Sequence, residues 1–181
     1  MTQILAVSGG SSPRSRAELL VPHAVERLTA GGFDAAHLPV HGLPAEELLA
    51  GRAESAALLG AVDAVALADG VIVATPVVRG AYSGVLKTFL DLLPEAALTG
   101  KTVLPLATAG SVSQLLALDY ALRPVISSLG ARHIVGGCLF LDDDVERSPH
   151  GGTRLRAAAA QRLHAVVDDF VESLPLHAGA G

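Results

Sequence analysis

The sequence predicts an α/β domain in which a doubly wound sheet of five parallel strands carries helices on both faces. Three observations predict it. Short apolar, β-branched runs alternate along the chain with longer segments of helical periodicity. Half of the 181 residues are hydrophobic and 17% are charged, enough for one domain to bury a sizeable core. The segments after the first, third and fourth apolar runs are rich in Gly, Ser, Thr and Pro, as loops at the rim of such a sheet should be.

The elements follow in order. Ile4–Val7 reads as a strand ending in a Gly/Ser turn. Arg16–Ala30 places Leu19, Leu20, Ala24, Val25 and Leu28 at helical spacing, and Gly31-Gly32 stops it. Ala35–Val40 is a weaker strand, and Glu54–Ala68 a second helix. Val71–Ala74 is the clearest strand, continuous, apolar and bounded by Gly70 and Pro76. Ser83–Leu93 reads as a helix with Ser83 as N-cap and Pro94 past its end. Val103–Ala107 is a strand in which Pro105 deletes one ladder donor. Gln114–Leu129 is a helix ended by Gly130, and Pro124 within it should kink or interrupt it. Its apolar positions exceed one face, which calls for a second packing partner. A fifth strand begins at His133 and reaches Phe140, and Leu155–Leu174 is the last helix. Five strands in a chain of this length favour the flavodoxin-like order 2-1-3-4-5 over the six-stranded dinucleotide fold. The whole chain, 1–181, reads as one domain, with residues 142–154 as a mobile loop and 176–181 as a frayed tail.

Composition excludes several function classes. A net charge of −5 argues against binding a nucleic-acid backbone, and 3% aromatic residues without Trp argue against a base-stacking surface. One cysteine, Cys138, excludes an internal disulfide and a multi-thiolate metal site. It reads as a small buried hydrophobe. His37 and His41 are four apart, but Pro39 between them argues against a helical metal pair. Asp142-Asp143-Asp144 lacks the further ligands of a calcium loop and reads as a solvated charge run. No metal site is expected. The apolar window 62–78 is broken by Asp63, Asp69 and Pro76, so no membrane span is expected. The first residues lack a basic n-region, so the expected location is the cytoplasm.

In a doubly wound sheet, ligands bind beyond the carboxyl ends of the strands. The first loop there, Ser8–Arg16, holds four serines, two arginines and two glycines and opens a helix. Free N–H groups at a helix start, hydroxyls and guanidinium groups suit a phosphate. The loop matches neither G-x-G-x-x-G nor G-x-x-x-x-G-K-[ST], so a monophosphate fits better than a dinucleotide or triphosphate. The second loop, Thr75–Gly84, and the third, Thr108–Ser113, present small residues and backbone to a flat ligand.

These residues resemble a family, the flavodoxin-like NAD(P)H-dependent FMN reductases. More narrowly, they resemble the flavin reductases of two-component alkanesulfonate and methanesulfonate monooxygenase systems. The resemblance rests on Ser8-Gly9-Gly10 with Ser15-Arg16, on Ala74–Val77 followed by Ala81–Thr88, on Leu92–Glu95, on Val103–Gly110 and on Leu118–Val125. It spans roughly residues 3–141.

The resemblance implies FMN, as substrate or loosely bound, with NADPH or NADH as reductant. It implies hydride transfer from nicotinamide to flavin N5 without a catalytic side chain. Position by position, Ser8, Ser11, Ser15 and Arg16 would hold the phosphate end. Pro76, Val77, Val78, Arg79, Gly80, Tyr82 and Ser83 would line the isoalloxazine and ribityl chain. Thr108, Ala109, Gly110 and Ser111 would close the other side of the ring. Lys87 would give support from the following helix, and Arg14 and Arg79 are candidates for a 2′-phosphate. Where many relatives carry an aromatic residue or Asn, Val77-Val78 stands here, so backbone contacts carry more of the ring. Tyr120 would be an inserted residue producing a π-bulge at a subunit interface. The implied partners are a flavin-dependent monooxygenase and further copies of the chain, as dimer or tetramer. Two rival readings use the same scaffold: a prosthetic-FMN reductase of quinones, azo dyes or metal oxyanions, and a flavodoxin-like electron carrier.

Overall fold

A computed structural model describes residues 2–147 and 152–175. Strand β1 (Gln3–Ser8) leads through the Gly/Ser loop into helix α1 (Arg16–Ala30). Strand β2 (Asp34–Pro39) runs into a 3-10 turn at Val40–Gly42 and the short helix α2 (Ala45–Ala50). Helix α3 (Ala56–Leu67) starts at Ser55, whose hydroxyl accepts the Leu58 N–H at 3.3 Å, an N-cap. Then come β3 (Gly70–Val78), the two-residue strand β4 (Ala81–Tyr82) and helix α4 (Gly84–Leu90). Strand β5 (Thr102–Ala109) precedes a broken helical segment that ends in α5 (Arg123–Ser128). Strands β6 (His133–Ile134), β7 (Cys138–Leu141), β8 (Val145–Arg147) and β9 (Thr153–Leu155) come before the last helix, α6 (Ala157–Glu172).

The main sheet is ordered β2-β1-β3-β5-β6, with β7 continuing beside β5. Counting β6 and β7 as one interrupted strand gives the expected 2-1-3-4-5 parallel order. The interruption is a bulge. Ile134 pairs with Val103 and Cys138 with Leu106, so one side spans an extra residue. It lies opposite Pro105, which has no N–H to donate. Bare backbone closes the gap, since a Cβ on Gly137 would stand 2.9 Å from the Pro105 carbonyl oxygen.

Both faces of the sheet are covered. Ile4, Ala6, Ile72, Leu104, Leu106 and Phe140 pack under α1 and α6, with Leu20, Leu163 and Phe170 fully buried between them. Leu5, Val71, Val73 and Val103 pack under α3, α4 and α5, against Leu58, Phe89, Leu122 and Ile126. Adjacent strand residues thus serve opposite layers, which is why the strands read as unbroken apolar runs. At about 25 cal/mol per Å² of apolar area, burying one such Leu or Phe is worth about 1.5–3 kcal/mol.

The region expected as one helix over 114–129 is three pieces. A 3-10 turn covers Val112–Gln114, a π-helical turn covers Leu118–Leu122, and α5 follows with Pro124 in its first turn. The wide turn lies immediately before Pro124, where the missing N–H and the pyrrolidine ring would otherwise break an α-helix. The stretch 142–154, expected as a loop, contains a 3-10 turn at Asp142–Asp144 and the antiparallel pair β8·β9. Residues 148–151 and the tail 176–181 lie outside the described residues. Among the described residues no helix is long and apolar enough to cross a membrane.

Candidate functional site

The carboxyl ends of β1, β3 and β5 bring the three loops to one rim of the sheet. The Gly9 N–H donates to the Ala74 carbonyl at 2.8 Å. Ser83 Oγ donates back to the Gly9 carbonyl and also accepts the Leu86 N–H at 3.1 Å, capping α4. Ser83 N–H donates to Thr75 Oγ1 at 3.0 Å. Gly9 sits so close to α4 that a Cβ there would lie 2.4 Å from Leu86 Cβ. The first and second loops are therefore stitched together, and Pro76 lies beside Thr108 of the third in the sheet register.

The first loop ends at the start of α1, where Ser15 occupies the N-cap position without a side-chain cap bond. Arg14 is exposed and Arg16 half-buried, and the first N–H groups of α1 have no acceptor within the helix. Neither Arg14 nor Arg16 forms an ion pair among the described residues. Ser11 is exposed and borders an open apolar groove of ≈ 470 Å³ that also takes in His41, Leu43, Leu48, Gly84 and Val85. This donor set fits a phosphate monoester at a helix start.

Ser8 does not join it. Its hydroxyl is fully buried, donating to Glu18 Oε2 at 2.6 Å and meeting His37 Nε2 at 2.6 Å. A hydroxyl has one proton, so His37 must donate through Nε2–H. Glu18 is 6% exposed, and its Oε1 accepts the Gly10 N–H at 2.9 Å. His37 Nε2 and His41 Nδ1 lie 3.4 and 3.5 Å from its two oxygens. Burial pushes the Glu18 carboxyl up, but bonding to His37, Ser8 and the Gly10 N–H outweighs it and holds the group below its ordinary 4.5. The histidines excluded as a metal pair thus meet around a carboxylate, and no metal-binding cluster exists among the described residues. Glu18 was missed in the sequence, although Ser15-Arg16-Ala17-Glu18 carries the S-x-x-E spacing of a capping box.

The second loop is a hairpin rather than a plain connection. Val77 pairs with Tyr82 and Val78 with Ala81, so Arg79-Gly80 forms a two-residue turn. Both turn residues have positive φ, 52° and 80°, the signature of a type I′ turn. Val78 is 54% exposed and Pro76, Val77 and Tyr82 are half-buried, giving a projecting apolar wall. The hydroxyl of Ser83, expected to face the ligand, is engaged in the loop stitching and the α4 cap.

The third loop runs from buried Thr108 and Ala109 to exposed Gly110 and Ser111. Thr108 Oγ1 is buried without a hydrogen-bond partner among the described residues, a polar atom left for something else to satisfy. Ser111 Oγ bonds Ser113 Oγ at 2.9 Å. The π-turn packs against β4 and β5, next to this wall, with Tyr120 79% exposed. Lys87, on α4, pairs with Asp91 at 2.7 Å, a surface contact.

A doubly wound parallel sheet of this order, with three loops gathered at the carboxyl ends of its strands, defines a protein of the flavodoxin-like fold with a ligand site at that rim. Residues 2–146 match the family model described as NADPH-dependent FMN reductase, and the chain belongs to that family. It is 41% identical over 172 residues to an FMN reductase (NADPH) of Escherichia coli K12, covering 95% of this chain and 90% of the relative. The crystal structure of an NADH:FMN oxidoreductase, EMOB, in its apo form superposes with a TM-score of 0.87 at 39% identity, covering 98% and 92% of the two chains. Oxidised flavodoxin 1 from Bacillus cereus shares the fold alone, with a TM-score of 0.67 at 12% identity over 96% of this chain and all of that one (100%). The chain is an NAD(P)H:FMN oxidoreductase that uses FMN with NADPH or NADH.

Proposed function

We propose that this reductase supplies reduced flavin to a separate flavin-dependent monooxygenase, in the manner of a sulfonate-desulfonating system, and releases FMN rather than retaining it. The observation that carries the reading is the π-turn at Leu118–Leu122, packed on the β4 wall and turning Tyr120 outward. Such turns concentrate at functional sites. One placed here couples a surface available to a second subunit or a partner with the wall beside the ring.

When bound, the flavin supplies the hydride-accepting chemistry and the nicotinamide the hydride. The chain's own residues bind and orient. Ser11, Ser15 and Arg16 hold the phosphate with the first-turn N–H groups of α1. The hairpin from Pro76 to Gly80, with Tyr82, forms one wall, and Thr108 to Ser111 form the other. No carboxylate or imidazole lies on either wall segment, consistent with a reaction that needs no side-chain acid or base.

Steady-state oxidation of NADPH and NADH, with FMN, FAD and riboflavin titrated, tests this. The rate should saturate at FMN well above the enzyme concentration. Full activity at one FMN per chain, retained through gel filtration and passed to a quinone, would favour the prosthetic-flavin reading. Arg16→Ala should weaken FMN about tenfold, the usual worth of a charge-assisted phosphate contact, and leave riboflavin unchanged. Tyr120→Ala should alter flavin retention or oligomer size; if both and turnover stay unchanged, the coupling role is abandoned.

A further inference from the structure

The buried carboxylate under the first loop bears on how firmly that loop can grip its ligand. Gly10 N–H points from the loop beside the start of α1, where it would add a donor to a bound phosphate, yet Glu18 Oε1 already accepts it at 2.9 Å. Glu18 is in the first turn of α1, where the N–H groups of that helix are otherwise free for an anion. Its second oxygen takes the Ser8 hydroxyl at 2.6 Å, removing another donor. A carboxylate held in its charged form there is an internal anion occupying part of the anion site.

We propose that Glu18 is a specificity-determining residue that weakens the grip on the flavin phosphate, so that FMN remains an exchangeable substrate. This rests on the reading that the phosphate lies at Ser11–Arg16. Charge and donor count argue the same way. A phosphate dianion arriving at this loop meets a fixed negative charge buried beneath it, and repulsion from a buried charge is screened less than that between two exposed ones. It also finds two of the loop's donors, the Gly10 N–H and the Ser8 hydroxyl, turned inward. His37, bonded to the Ser8 hydroxyl and 3.4 Å from the carboxylate, packs against it from β2, and His41 lies 3.5 Å from its other oxygen. The effect is confined to the phosphate end, since a flavin lacking phosphate presents no charge to Glu18.

The test compares dissociation constants of FMN and riboflavin, read by flavin fluorescence, for the parent protein, Glu18→Gln and Arg16→Ala. Glutamine keeps the shape and the oxygen facing Gly10 but removes the charge. The expected result is FMN about tenfold tighter in Glu18→Gln, with riboflavin within about twofold, as for one removed like-charge contact. FMN and riboflavin moving together, or FMN weakening, would overturn the proposal. Should the Gln variant melt too low to assay, Glu18→Ala removes the same charge and is held to the same pair of numbers. Arg16→Ala separates the two layers of the argument. If it leaves the FMN-to-riboflavin ratio untouched, the phosphate lies elsewhere and both the location and the proposal fail. If it abolishes FMN preference while Glu18→Gln changes nothing, the location stands and only the role of Glu18 is lost.

Discussion

At the scale of single residues, the acid sensitivity of the fold should trace to Glu18. Its carboxyl sits below the ordinary 4.5 in the folded chain. A group depressed in this way stabilises the fold above its unfolded value, and the contribution is lost as pH falls through its folded value. Thermal unfolding followed from pH 7 downward should therefore show the melting temperature dropping below about pH 4.5, with a flatter curve for Glu18→Gln. An identical slope in both proteins would remove Glu18 from the explanation. Little of this was legible in the sequence. His37 and His41 were visible as a pair but belong to β2 and the turn after it, and only the β1–β2 register brings them over α1. The serines of the first loop read alike, yet burial separates them: Ser8 faces the core and Ser11 the rim.

At the scale of elements, the hairpin β3–β4 carries a local cost. Arg79 holds φ of 52°, a left-handed conformation that costs an ordinary residue about 1–2 kcal/mol. Asn is far better suited to that position of a type I′ turn. Arg79→Asn should thus stabilise the protein by about 0.5–1 kcal/mol in urea unfolding. If Arg79 serves the nicotinamide nucleotide, the same variant raises the KM for NADPH more than that for NADH. Strain kept at a rim position is consistent with a side chain retained for binding. The long strands and α1 were readable because apolar periodicity dominates there. The hairpin was not, because Arg-Gly is a weak turn signal beside Asn-Gly. In the 114–129 segment the continuous Leu spacing reads as one helix, but the π-turn at Leu118–Leu122 falls where the resemblance implied a bulge, at Tyr120. The combination of Tyr120 with Pro124 was the usable sign.

At the scale of the whole molecule, apolar surface collects on one side of the rim. Val112, Leu116 and Tyr120 are 63%, 60% and 79% exposed, and Val78, on the adjacent hairpin wall, is 54% exposed. Exposed apolar patches are common at association surfaces. Leu116→Glu should reduce the molar mass measured by light scattering if copies of the chain pair through this side. A mass unchanged by the substitution would leave the patch to a different protein. The sheet order was readable from strand count and chain length. The use of this patch was not, because Leu115, Leu116 and Leu118 look like core in a list of letters and only Leu118 is buried.

The bulge opposite Pro105 has a consequence for life in a crowded solution. It interrupts an outer strand of the sheet, so an incoming chain finds no unbroken row of amides on which to build a further strand. The same irregularity that fits a proline into the interior blunts the border of the sheet against fibrous self-assembly.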